Sequence, residues 1–189
     1  MNFIYQEFIS DLSICDNLIQ LFKENKNYWN QGRCKDGVHL ELKKSTDMPI
    51  SIEAIISNDI IKSYINELNN ISKNYIKKYD FCNKTDLWGI VEDFNIQFYK
   101  PNEAFYDWHC ERPTSVLPYC NRHLVWMTYL NDIKNDGETE FYYQQLKIKP
   151  EKGKTVIFPV DWTHTHRGIT SKKDEKYIIT GWFNYLNKV

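Results

Sequence analysis

Two short stretches hold residues that could do chemistry together. "YDWHCERP" (106–113) sets His109 and Glu111 two apart, and "DWTHTHRG" (161–168) sets His164 and His166 two apart. In extended backbone, residues i and i+2 point to one face, so each pair can offer two ligand groups to one point. Two imidazoles and a carboxylate on one face of a metal leave the opposite positions open for substrate and oxygen, the arrangement of non-haem Fe(II) oxygenases. The same donors on zinc would support hydrolysis, but the helical H-E-x-x-H pattern is absent. On residue types alone, H-x-E is also met in exposed loops, and either His164 or His166 can be the distal ligand.

The elements that must position these groups fall into two parts. "SDLSICDNLIQLFKENK" spaces Ile14, Leu18, Leu21 and Phe22 at helical intervals. "SNDIIKSYINELNNISKNYIKKYDF" gives a longer helix, with Asp59 as N-cap and a core stripe of Ile61, Tyr64, Ile65, Leu68, Ile71, Tyr75 and Ile76. Between them, Val38, Leu40 and Leu42 alternate like a short strand, "STDMP" reads as a turn, and His39 reads as a surface residue. After residue 85 strand patterns dominate. "DFNIQFYK" puts Phe94, Ile96 and Phe98 on one face and Asn95, Gln97 and Tyr99 on the other. "HLVWMTYLN" puts Val125, Met127 and Tyr129 together, and "EKYIITGWFNYL" puts Lys176, Ile178, Thr180 and Trp182 together. An Asp-Gly turn at 136–137 and "KPEKGKTVIFP" complete a series of short strands suited to a sandwich or barrel.

Composition bounds the function. With 189 residues the chain is read as one domain, 1–85 mainly helical support and 86–189 a β core carrying the metal site. Its 24 basic and 25 acidic residues nearly cancel, which argues against nucleic acid or an anionic membrane as partner. Thirteen Tyr, 10 Phe and 6 Trp against 7 Gly and 6 Pro speak for a packed core rather than disorder. No signal peptide or membrane span is read in the N-terminal segment, and the five scattered cysteines form no C-x-x-C pair. A reducing cytoplasm is the expected home.

From about residue 94 to 185 the sequence resembles the Fe(II)- and 2-oxoglutarate-dependent oxygenases, in particular the prolyl 4-hydroxylase-like branch. The resemblance rests on Tyr99, His109-Cys110-Glu111, Arg122 with "TYLND", "DGETEF", "KPEKGKTVIF", the histidines of "DWTHTHRG" and "KYIITGW", in family order. It implies an α+β fold: a double-stranded β-helix (jelly-roll, cupin-like) supported by N-terminal helices. It also implies that the distal ligand precedes the 2-oxoglutarate-binding lysine by about ten residues, which selects His166 over His164 for Lys176. "RGITSKKDE" can turn the chain into the next strand, which likewise brings His166 nearer in level to Lys176. The implied metal set is His109, Glu111 and His166. Lys176, Tyr99, Tyr129 and Trp182 are implied for the cosubstrate, and Arg122, Arg167, Trp108 and Trp162 for the substrate mouth. Glu111 stands where the family usually has Asp, Asp136 where it has Gly, and Cys110 should face away from the metal.

The resemblance implies hydroxylation of a C–H bond with Fe(II), 2-oxoglutarate and O2, with ascorbate as reductant and a peptidyl proline as the favoured substrate. A free amino acid or small metabolite is the alternative, and a metal-free β-barrel binding module is the rival of another class. A monomer or homodimer is expected.

Overall fold

The alternation of apolar and polar residues becomes two walls in the structure, a computed structural model that describes residues 1–186. The strands in chain order are β1 (Tyr5–Phe8), β2 (Asn30–Gln31), β3 (Thr46–Ile50), β4 (Trp88–Gly89), β5 (Phe94–Tyr99) and β6 (Arg122–Tyr129). There follow β7 (Thr139–Phe141), β8 (Leu146–Ile148), β9 (Lys154–Pro159), β10 (His166–Gly168) and β11 (Lys176–Tyr185). The helices are α1 (Ser13–Glu24), α2 (Ala54–Ser57) and α3 (Asp59–Lys78). The larger sheet runs β1-β9-β6-β11-β5-β3-β2, with β4 also on β11, and the smaller runs β10-β7-β8. The fold is a double-stranded β-helix of α+β class.

The larger sheet has a different core on each face. Phe94, Ile96, Phe98, Leu124, Trp126, Tyr177, Ile179 and Phe183 pack with Leu18, Phe22, Tyr64 and Leu68 of α1 and α3. Their neighbours in register, Tyr99, Val125, Met127, Tyr129 and Ile178, face inward and meet Phe141 and Ile148 of the smaller sheet. Period-two alternation therefore assigns the helix-facing and site-facing residues of β5, β6 and β11 as the sequence predicts. Gly181 is required by close packing: a Cβ there would lie 2.4 Å from Trp126 and 2.7 Å from Phe94.

Three local expectations are corrected. The segment around Val38 and Leu40 is not a strand. It closes on itself through Leu42 and Lys43 N–H bonds to the His39 carbonyl, and both side chains are exposed. "STDMP" is not a turn, since Thr46–Ile50 is β3 and pairs with β5. Its far side meets β2 only at Thr46 and Asp47, so Pro49 forfeits no ladder bond there. The N-cap of α3 is Asn58, whose side chain accepts from the Ile60 and Ile61 N–H groups, one residue before Asp59. The first 85 residues also contribute β1, β2 and β3 to the larger sheet beside their helices.

Candidate functional site

His109 and His166 are brought opposite each other by the backbone. The His109 N–H donates to the His166 carbonyl at 3.0 Å, and the His166 N–H returns the bond at 2.9 Å. The Glu111 N–H donates to Val160 at 3.1 Å, anchoring the carboxylate two residues on. Each imidazole is oriented by a main-chain carbonyl. His109 Nδ1–H donates to Asp107 at 2.9 Å and His166 Nδ1–H to His164 at 3.0 Å. That fixes the tautomer and leaves both Nε2 lone pairs free. They point at one carboxylate oxygen: Glu111 Oε1 lies 3.5 Å from His109 Nε2 and 3.6 Å from His166 Nε2. The three ligand atoms all lie within 4.8 Å of one another. Phe105 stacks on His109 with centroids 3.6 Å apart, and Phe158 meets His166 edge-on.

The electrostatics suit a cation. Burial pushes Glu111 up, but in the metal-free site a proton on Nε2 of the facing imidazoles, His109 and His166, outweighs it and holds the carboxyl well below the usual range. Burial, then the neighbouring His166, push His109 down, which favours the neutral imidazole that a metal needs. The donor set of two free Nε2 atoms and one carboxylate oxygen fits a divalent iron with open positions.

The second oxygen of Glu111 is engaged elsewhere. Trp182 Nε1–H donates to Oε2 at 3.1 Å, and Arg122 donates to the same atom at 3.4 Å and to the Glu111 carbonyl at 3.1 Å. The guanidinium is buried, lies 3.4 Å over the Trp182 ring and is held by the Glu92 carboxylate from its other edge. Trp182, expected at the cosubstrate, and Arg122, expected at the substrate, thus both grip Glu111.

Lys176 opens into the same cavity, which has a volume of ≈ 1180 Å³. Its ammonium is buried, donates to the Gly137 carbonyl at 3.1 Å and sits 4.9 Å from the Tyr99 ring centroid. No carboxylate among the described residues forms an ion pair with it, and burial lowers its pKa to about 8, against the pull of Glu138. Asp136 and Gly137 both take positive φ, 58° and 83°, in the turn that presents this carbonyl. Tyr129 donates to Thr139 at 2.6 Å and Tyr99 to Gln97 at 2.7 Å. Burial pushes both phenols up, so both remain donors. A buried, unpaired ammonium beside hydroxyl groups fits an anionic ligand such as a dicarboxylate.

Trp108 and Arg167 also line the cavity. Arg167 lies 4.3 Å over Trp108 and is paired with Glu140 at 2.8 Å. Trp162 stands outside the cavity, exposed against Tyr143. The expectation that His164 shares a face with His166 fails because Trp162–His164 is a 3-10 turn, where the i, i+2 rule does not hold. His164 is buried, donates from Nε2 to the Asn2 carbonyl at 2.9 Å and takes part in the site only through its own carbonyl. Cys110 is half-buried at the cavity wall and is not one of the three clustered ligand groups. Sequence reasoning missed Phe105, Thr139 and Glu92. Thr139 lies within the quoted "DGETEF", two residues before Phe141 and on the same inward face. Nothing local marks Glu92.

Site and fold together define an oxygenase of the non-haem iron type, and the comparisons agree. The model of the 2OG-Fe(II) oxygenase superfamily matches residues 94–184. No curated protein matches the chain. Among solved structures, a viral collagen prolyl hydroxylase from Paramecium Bursaria Chlorella virus-1, in complex with 2OG, has TM-score 0.70 and 19% identity, covering 98% of this chain and 97% of that one. A Pseudomonas putida prolyl-4-hydroxylase gives 0.72 and 15%, with 99% and 95% covered. A Trichoplax adhaerens prolyl hydroxylase, in complex with a hypoxia inducible factor peptide fragment, gives 0.75 and 16%, with 97% and 84% covered. Residues 94–184 thus carry the pattern of the 2OG-Fe(II) oxygenase superfamily, whose reaction uses Fe(II), 2-oxoglutarate and O2, and the fold is that of the prolyl hydroxylases. No helix of the described residues is long and apolar enough to cross a membrane.

Proposed function

We propose that the protein is a 2-oxoglutarate-dependent dioxygenase that hydroxylates a peptidyl proline, with His109, Glu111 and His166 holding Fe(II) and Lys176 taking the distal carboxylate of 2-oxoglutarate. The observation that carries this is the buried ammonium of Lys176, with no acidic partner among the described residues, in one cavity with the His-Glu-His cluster. Bound iron, with 2-oxoglutarate and O2, supplies oxidative decarboxylation to succinate and carbon dioxide and the oxidation of a C–H bond. The chain supplies the rest. The two Nε2 atoms and Glu111 Oε1 orient one face, Trp182 and Arg122 keep Oε2 turned away, and Tyr129 and Tyr99 offer phenolic groups beside Lys176. Val125, Met127, Ile178 and Phe158 line the cavity and keep bulk water from the reacting carbon. The same reading has ascorbate as reductant and a monomer or homodimer in the cytoplasm.

A free amino acid is the second reading. It is favoured by the buried Lys43–Asp47 ion pair, 2.8 Å, which lines the cavity and could meet an α-carboxylate and α-ammonium. Anaerobic Fe(II) and 2-oxoglutarate should raise a weak visible charge-transfer band. Succinate release should then be screened over proline-containing peptides and free amino acids, with one added oxygen read by mass. Turnover of free amino acids alone would select the second reading. No band and no retained metal would leave a binding module.

A further inference from the structure

Aromatic rings continue outward from the cavity. Trp108 lines it, Tyr142 meets Trp108 edge-on at 5.1 Å, Tyr143 meets Tyr142 at 5.1 Å, and Trp162 meets Tyr143 at 5.8 Å. The outer three remain 55%, 58% and 64% exposed. A fold gains nothing by leaving three adjacent large rings in water, and contiguous exposed aromatics mark binding surfaces. The ridge is also rigid. The β7–β8 turn is tied to the 162–165 turn by Tyr142 N–H to Thr165, 2.9 Å, and by the Gln144 amide to Thr163, 2.9 Å. Nearby charges are already paired, Arg167 with Glu140 and Asp161 with Arg112. That leaves little to attract a phosphate or an anionic lipid surface.

We infer that this ridge is a docking surface for the part of a polypeptide substrate that flanks the oxidised residue, an uncharged extended segment bearing prolines. The inference rests on the peptide reading above. It is carried by the continuity of the ridge with the cavity through Trp108: a chain with one residue inside must leave over the rim. A polyproline II segment advances about 3.1 Å per residue, so each ring-to-ring step spans fewer than two residues. Edge-to-face packing turns successive ring faces outward, and proline rings can lie on such apolar faces with little ordering cost, as on other aromatic-lined surfaces.

The test compares a short peptide centred on one proline with versions extended by an uncharged proline-containing segment on either side. For the wild type, KM should fall about three- to tenfold on extension to one side, at unchanged kcat. Tyr143→Ala should abolish that gain without altering the short peptide, and Tyr143→Phe should keep it. Matched melting temperatures show that both variants fold. Short-peptide turnover with no dependence on length would overturn the ridge assignment alone. Absence of short-peptide turnover would overturn the hydroxylase reading and this one with it. Tyr143-dependent co-sedimentation with phosphatidylcholine–phosphatidylserine vesicles, without a length effect, would replace the peptide with a membrane.

Discussion

Replacing Trp182 by Phe tests how a glutamate serves where an aspartate is usual. The change removes one N–H donor and leaves an aromatic ring under Arg122. The lost bond is charge-assisted, 3.1 Å to Glu111 Oε2, and bonds to charged groups contribute about 1.5–3 kcal/mol. Arg122 still reaches the same oxygen at 3.4 Å, so the low end applies. Partners of this kind change metal affinity by about 10–100-fold, and we expect about tenfold weaker binding, which is about 1.4 kcal/mol. The measurement is anaerobic calorimetric titration with Co(II), so it does not depend on turnover. A second background sharpens it. In Glu111→Asp the carboxylate is one methylene shorter and cannot reach both the histidines and Trp182, so Trp182→Phe should cost under about 0.5 kcal/mol there. Equal losses in both backgrounds would show that Trp182 acts through general packing. No loss with Glu111 present would show that the bond does not orient the ligand.

Three more outcomes follow from the same geometry. Lys176→Met should raise apo stability by about 3 kcal/mol at neutral pH, the cost of holding a cation whose pKa falls from 10.5 to about 8; denaturant melts should show this together with loss of the stabilisation by 2-oxoglutarate. Because the unfolded chain holds this proton more tightly, the penalty is complete below about pH 8 and is relieved as pH rises toward 10.5, so wild-type stability should climb relative to Lys176→Met across that window. The KM for 2-oxoglutarate should rise over the same range, and a flat profile would refute the role of the ammonium. His166→Ala should lose metal binding, whereas His164→Ala should keep it and lose about 1–3 kcal/mol of stability with the buried bond to Asn2; the reverse metal result would overturn the ligand assignment.

The site was legible where a strand is long and buried on both faces. Alternation along β5, β6 and β11 correctly placed Tyr99, Tyr129, Lys176 and Trp182 on the cavity side, because pairing on both flanks fixes the register. It failed where local chemistry competes with a tertiary partner. At Thr46–Ile50 turn-forming residues were overridden by an edge position and by the buried pairing of Asp47 with Lys43. At Trp162–His164 a single turn broke the two-residue rule. The hold on Glu111 was out of reach, because Trp182 and Glu92 are distant in sequence and no local period announces a side-chain bond from a strand to a loop.

The three proposed ligands are not fixed in the same way. His109 and His166 are locked by mutual main-chain bonds and by main-chain acceptors on both Nδ1 atoms, so substitutions around them shift the imidazoles only by moving backbone. Glu111 extends beyond its main-chain anchor and is aimed by side chains of the larger sheet, Trp182 from β11 and Arg122 from β6, the latter set by Glu92. Arg122 and Trp182 also line the cavity. A substrate group competing for either donor would therefore free Oε2 and alter how Glu111 meets the metal. Of the three ligands, the carboxylate is the one through which events in the cavity can tune the metal site.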